Sequence, residues 1–362
     1  MKKNVNEETR SMYNVIFAAE ALLRDCLSSG SDGDNIFYQY TKMETLEAIW
    51  GSGCLRATDM KYLNDSLEYQ SGINTIKEIY ANDTDPNSKI IRKNLNKYKN
   101  EYERNNFSTF SISFCEDGDL LSQWITYAKE GGVSIGFDFS SDSLFWGQKI
   151  SDYYFRTNEM KKPLEVMYVN SQNPLTKTQE HNIKGLMEKI TGSEMTTSDE
   201  RLAFYMALCY IKNSDFSPER EHRIVSIPCH NGISYGDEKK RFSEIKTSLQ
   251  SSHVFRPYIE LYPIKKDNSF AGLPVAEIIV GPASNQVSIF NSLINKLEHS
   301  FSEDIKFEVP SSKIITARKK RYAALVSDMK NKKMKINEIY NKIHFCEKWG
   351  LIIRTSESSY VF

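Results

Sequence analysis

Apolar positions recur along this chain with two periods, and the switches between them mark out its elements. Between residues 7 and 28, Met12, Val15, Ile16, Ala19, Leu22, Leu23 and Cys26 follow three- and four-residue steps, which places them on one stripe of a helix. The polar, glycine-containing stretch SSGSDGDN (28–35) breaks that pattern. IFYQYT, after Asn35, is short and β-rich, and the run from Met43 to Trp50 predicts a helix. The helix should stop at the GSG of 51–53, because glycine takes the left-handed conformation that closes a helix end. CLRAT (54–58) reads as a short extended return.

Residues 66–105 predict charged helix, interrupted at NDTDPNS (82–88). FSTFSISF (107–114) alternates between apolar and polar positions and predicts a strand. EDGDLLSQWITYAKEGG supplies an acidic turn, a short helix through Trp124 and Tyr127, and a double glycine. VSIGFDF (133–139) and VMYV (166–169) are further strands, and Thr176–Asn213 is mostly helical in pattern. REHRIVSIP (220–228), YIELYPI (258–264) and AEIIVGP (276–282) predict strands, 287–301 a helix, and IKFEVPSS (305–312) a last strand. The remainder is basic and helical, ending in GLIIRTSESSYVF (350–362), which reads as a hairpin.

Strands and helices do not alternate regularly, so a doubly wound parallel sheet is disfavoured. The expectation is an α+β body of mixed, mainly antiparallel sheets with surrounding helices, two facing sheets being one form of it. Three regions follow: an N-terminal helix and linker (1–35), a main domain (36–313), and a basic helical tail ending in a hairpin (314–362). There is no internal repeat.

Composition narrows the function classes. With 20 Tyr and 19 Phe but only 10 Pro in 362 residues, the chain has enough bulky side chains to offset its ordering entropy. Lys plus Arg (47) equal Asp plus Glu (47), so no whole-molecule attraction to nucleic acid or anionic membrane is implied. The six cysteines include no CxxC pair, which leaves no zinc-site spacing, and no metal site is expected. The first residues carry no apolar secretory core, and no stretch approaches 18 apolar residues. Reduced thiols in the cytoplasm are the expectation.

Five patterns in order carry a resemblance: FYQYTKMETLEAIWGSGCLRAT, YLNDSLEY, SISFCEDGDLLSQWITYAKEGGVSIGFD, PEREHRIV, and AEIIVGPAS with the closing IKFEVPSSK. Between about residues 36 and 313 the chain resembles a bacterial family of unknown function numbered 2971. The opening pattern and the Glu-x-Glu strand are also similar, distantly, to the ADP-ribosyltransferase superfamily. That resemblance implies NAD as substrate, held in a cleft between two small sheets, and a glutamate at a strand start. Loss of nicotinamide leaves an oxocarbenium-like sugar, whose charge a nearby carboxylate stabilises.

Carried onto this chain, the resemblance makes Glu221 the catalytic carboxylate and Glu219 its assistant. Two residues apart on one strand, their side chains would share a face. Gln39 or Tyr40 would lie beside the ribose. Gln39 stands where related transferases often place histidine, but glutamine also donates and accepts hydrogen bonds. Trp124 and Tyr127 would flank the nicotinamide, or else pack a core. Arg56, Arg223 or Arg256 would take pyrophosphate through the guanidinium fork. The implied role is a cytoplasmic toxin or antiviral effector acting on a macromolecular acceptor, protein or nucleic acid.

Other readings stay open. PEREHR reads equally as a solvated turn before a strand, and a site there could bind a nucleotide or a phage component as a sensor without cleaving anything. A nuclease centre at Asp65 and Glu68 lacks a paired metal-ligand motif. Arg318–Arg321 and Lys330–Lys335 could touch nucleic acid or a protein partner. The interleaved Ala323, Leu325, Met329 and Ile336 suggest instead an amphipathic helix with a solvated basic face, and that reading is favoured.

Overall fold

The computed structural model describes residues 35–63, 68–81, 84–103, 108–141, 144–150, 153–158, 162–169, 176–191, 205–227, 245–249, 254–300 and 304–358. The expected N-terminal helix, together with Asn64 and Asp65, lies outside the described residues.

In chain order, β1 (Ile36–Thr41), α1 (Met43–Ser52) and β2 (Leu55–Asp59) come first. Two helices, α2 (Glu68–Ile79) and α3 (Pro86–Glu103), precede β3 (Phe110–Cys115), α4 (Leu121–Tyr127) and β4 (Val133–Asp138). Then follow β5 (Phe145–Ile150), β6 (Tyr153–Asn158), β7 (Leu164–Glu165), β8 (Met167–Val169) and α5 (Lys177–Thr191). A short β9 (Ile211–Asn213) leads through a 3-10 turn, Ser214–Glu219, into β10 (Glu221–Ser226). Next come β11 (Lys246–Leu249), β12 (Phe255–Ile264), β13 (Val275–Val280) and α6 (Gln286–His299). The chain closes with α7 (Ser312–Asn331), α8 (Ile336–Tyr340), β14 (Ile343–Cys346) and β15 (Leu351–Thr355). The fold is α+β and mainly antiparallel, as its pattern predicts; a pair of facing sheets is not evident from the strand pairings.

Two compact units divide these elements. One contains Arg56–Ser113 and Phe145–Leu261. In it β2 pairs antiparallel with the first residues of β3, Asp59 opposite Phe110. The order β2-β12-β5-β6 continues from there, with β10 against β3 and β7. A separate parallel ladder joins β8 to β9. Its core gathers Ile73, Ile76, Leu95, Met187, Tyr205 and Tyr210, among others.

The second unit contains Gly33–Leu55, Phe114–Leu144 and Tyr262–Phe362. Its strands run β14-β15-β13-β4-β1; β13 and β15 are parallel, the other pairs antiparallel. Helix α1 ends at Gly53, where φ is +73°. A Cβ there would lie 2.7 Å from the Phe270 ring, so both backbone conformation and space require glycine.

Thr176–Asn213 is helical over α5, and its last residues form β9, paired in parallel with β8. One expectation needs correcting. The segment 305–312 contributes only a single bridge, Leu273 to Phe307. The hairpin β5–β6 went unread because FWGQKI and YYFRTN mix charge with aromatics and do not alternate cleanly.

Candidate functional site

Glu221 opens β10, and three neighbouring elements converge on it. Tyr168 and Lys212 are register partners in the β8–β9 ladder, so their side chains leave the same face together. The Tyr168 hydroxyl accepts the Glu221 backbone N–H at 2.7 Å. Lys212 Nζ donates to Glu221 Oε2 at 2.9 Å and to Glu219 Oε2 at 2.7 Å, and sits 4.8 Å from the Phe216 ring centre. Arg223, two residues along β10, grips the same carboxylate with Nε on Oε1 at 2.6 Å and Nη2 on Oε2 at 2.8 Å. Its Nη1 donates to the Cys209 carbonyl at 2.6 Å.

Burial of Glu221 pushes its carboxyl pKa upward, but Arg223, Lys212 and a hydrogen bond from Ser113 outweigh burial and bring it down to about 2. The group is therefore ionised at any physiological pH. Two carboxylates and two cations share the cluster, so it is formally neutral, which is what lets Lys212, Glu221 and Arg223 stay buried together. Only Glu219 reaches outward, its side chain 18% exposed against 6% for Glu221.

Glu219 ends the 3-10 turn, and Arg220 after it takes a left-handed conformation at φ 45°. The strand argument for a shared face is thus corrected: the turn, not strand alternation, brings the two carboxylates onto one lysine. Arg223 cannot take pyrophosphate, because its fork is engaged by Glu221 and Cys209. Arg56 is exposed, its guanidinium 4.7 Å from the Tyr258 ring centre. Arg256 is half-buried on β12. Both belong to the unit that holds Glu221.

Gln39, Tyr40, Trp124 and Tyr127 belong to the other unit. Gln39 Oε1 is buried with no hydrogen-bond partner among the described residues. Tyr40 is locked: its hydroxyl accepts Leu120 N–H at 2.7 Å and donates to the Asp117 carbonyl at 2.8 Å. Trp124 is fully buried, meets Tyr40 edge-on at 4.7 Å and bonds Asp119 through Nε1 at 2.8 Å. It presents no face to a ring ligand, so it acts as core, with Tyr127 packed beside it.

Sequence reading missed Lys212, Tyr168 and Ser113. A lysine directly after the apolar run ALCYI (207–211) was the available signal, since a charge at the end of a buried strand needs a partner. Among the described residues no group of three His, Cys, Asp or Glu is placed to hold a metal ion. Cys54, Cys115, Cys209 and Cys346 are buried thiols that form no disulfide among the described residues. No helix among the described residues is long and apolar enough to cross a membrane.

No curated protein and no solved structure matches the chain. The family match covers 123–224, narrower than the 36–313 span of the sequence patterns, and it takes in Tyr168, Lys212, Glu219, Glu221 and Arg223. Over residues 123–224 the chain matches the family described as a protein of unknown function (DUF2971).

Proposed function

We propose that the chain is an ADP-ribosyltransferase-like enzyme that consumes NAD, acting as a cytoplasmic toxin or abortive-infection effector against phage. The observation that carries this reading is Glu221 itself: a buried, ionised carboxylate at the first residue of a strand, with a second carboxylate on the shared lysine. When the bond from ribose to nicotinamide breaks, its electron pair leaves with the base and positive charge develops on the sugar. An ionised carboxylate held in place stabilises that charge without reorganising. The lone pairs of Glu221 are occupied by Arg223, Lys212 and Ser113. A ribose hydroxyl can replace Lys212 without stranding it, since Lys212 keeps Glu219. Arg56 and Arg256 suit the pyrophosphate, and the acceptor is a protein, a nucleic acid or water.

The same occupancy favours a second reading, a sensor module that binds a nucleotide without cleaving it. One experiment separates the two: NAD consumption by the purified chain, with Glu221→Gln alongside and phage-infected lysate as trigger. NAD loss with the parent chain but not the variant supports the enzyme. No NAD loss under either condition, with no ADP-ribose label on any lysate component, overturns it and leaves the sensor.

A further inference from the structure

The geometry points to helix α7 as a docking surface for the phosphate backbone of double-stranded nucleic acid. This goes beyond the NAD chemistry and stands whether or not Glu221 is catalytic.

Helix α7 has two unlike faces, and the inner one is fixed. Arg318 is buried and donates to the Val275 and Gly350 carbonyls at 3.0 and 3.2 Å and to Asp138 at 3.0 Å. Arg321 donates to Tyr38 and Glu277 at 2.9 and 3.1 Å. Tyr322, Leu325, Val326 and Met329 pack into one apolar cluster with Ile343 and Ile352 of the hairpin β14–β15. The two arginines that made the segment look most basic are therefore structural, and the apolar stripe is covered.

What remains outside is a lysine face. Lys313, Lys320 and Lys330 are exposed, with the exposed small residues Ala323, Ala324 and Ser327 among them. At 3.6 residues per turn these six fall within roughly a third of the helix circumference, and the lysines span about 25 Å. Among the described residues no carboxylate pairs with these three lysines. Nearby Lys319 and Lys332 are different, paired to Glu347 at 2.7 Å and to Asp328 and Glu357 at 3.0 and 2.8 Å. Lys333 and Lys335 continue the exposed positive charge past the helix end.

The face selects its partner. Lysines are point charges suited to phosphate oxygens, and small side chains between them let a backbone approach closely. No aromatic projects from this face to stack on unpaired bases, which disfavours a single strand. Insertion into a membrane surface would need a free apolar stripe, and the stripe of α7 is already buried against the hairpin. Since the whole chain is neutral, with 47 basic and 47 acidic residues, the attraction is local to this helix.

The test is binding of a labelled 20-base-pair duplex to the full chain by fluorescence anisotropy across about 50 to 200 mM salt. The parent should bind with the logarithm of its affinity falling linearly in log salt. Lys313→Ala/Lys320→Ala/Lys330→Ala together should lower the slope by about 3, one unit per lost phosphate contact. The control Lys89→Ala/Lys93→Ala/Lys129→Ala removes as many exposed lysines elsewhere and should leave the slope unchanged. Because all six side chains are exposed, both variants should keep the parent's circular dichroism. Absence of duplex binding overturns the proposal, as does equal loss in the control. Binding only to anionic phosphatidylserine vesicles, or tighter binding to the matching single strand, overturns it as well.

Discussion

Among the described residues two buried glutamates look alike on paper, Glu221 and Glu277, and their surroundings differ in kind. Glu277 sits on β13 with Arg354 Nε on Oε1 at 2.6 Å, and Tyr38 hydroxyl and Arg321 on Oε2 at 2.6 and 3.1 Å. Burial pushes its pKa up, but Arg354 and Arg321 prevail and hold it below the usual carboxylate range. Its partners come from β1, α7 and β15, 239, 44 and 77 residues away in sequence, so the charge fastens distant segments of one unit. Asp119 extends the fastening by accepting Glu357 N–H at 2.8 Å and the Ser356 hydroxyl. Glu221 draws its cations from within nine residues of itself and adds a second carboxylate on an outward-reaching turn. A tie needs one carboxylate saturated by cations from far away. A reactive site needs a spare carboxylate and a cation able to change partners. Under the proposed reading Glu219 and Lys212 supply them, whereas Asp119, which also faces Arg354 at 3.6 Å, is held by Ser356 and Glu357.

The largest expected effect breaks the comparison on stability. Glu277→Leu leaves Arg354 and Arg321, both partly buried, without their shared carboxylate, with Asp119 at 3.6 Å still facing Arg354. Unfolding in urea should therefore show a loss of about 3–5 kcal/mol. NAD consumption per folded molecule should be unchanged at temperatures where the variant remains folded. Loss of turnover in fully folded Glu277→Leu would place Glu277 in the chemistry and dissolve the distinction.

Glu221→Gln should cost somewhat less, about 3 kcal/mol, because Lys212 retains Glu219 while Arg223 loses its counter-charge. It should also abolish NAD consumption. The pH dependence sharpens this. A carboxyl with an ordinary value of 4.5 lowered to about 2 in the fold contributes stability that is present above 4.5 and lost as pH falls towards 2. The gap in unfolding free energy between parent and Glu221→Gln should therefore be full at pH 7 and should close between pH 4.5 and 2. A gap of constant size across that window would mean that the charge of Glu221 contributes nothing.

Much of this architecture was legible in the pattern. Helix α1 with its glycine stop, strands β1, β3, β4, β10 and β13, and helix α6 all follow from periodicity and turn residues, which are local. The Glu-x-Glu pair was visible too, but its environment was not. Lys212, Tyr168 and Ser113 reach Glu221 through a parallel ladder and a separate strand, and such pairing is set by tertiary contact. Trp124, for which nicotinamide stacking and core packing both stood open, is enclosed as core because Asp119 claims its nitrogen and Tyr40 meets its ring. Burial of that kind depends on what packs opposite, and a three-residue helical step does not reveal it. Arg318, counted with the basic tail, is likewise buried by partners that its own segment does not contain.

The smallest expected effect on stability is the most discriminating for function. Glu219 is the outward member of the pair, and its removal leaves Lys212 still bound to Glu221, so no charge is orphaned. Glu219→Gln should therefore lower stability by no more than about 1 kcal/mol, the scale of a partly exposed ion pair. A carboxylate that only neutralises Lys212 would stop there. A carboxylate that assists at the reacting sugar, by polarising a hydroxyl or an incoming nucleophile, contributes on the order of 100-fold in rate. The expected result is a kcat for NAD consumption reduced about 100-fold, with KM and melting temperature near the parent's. A kcat within twofold of the parent would leave Glu219 as a counter-ion alone, and the Glu-x-Glu pair would then be a salt-bridge motif that happens to begin a strand.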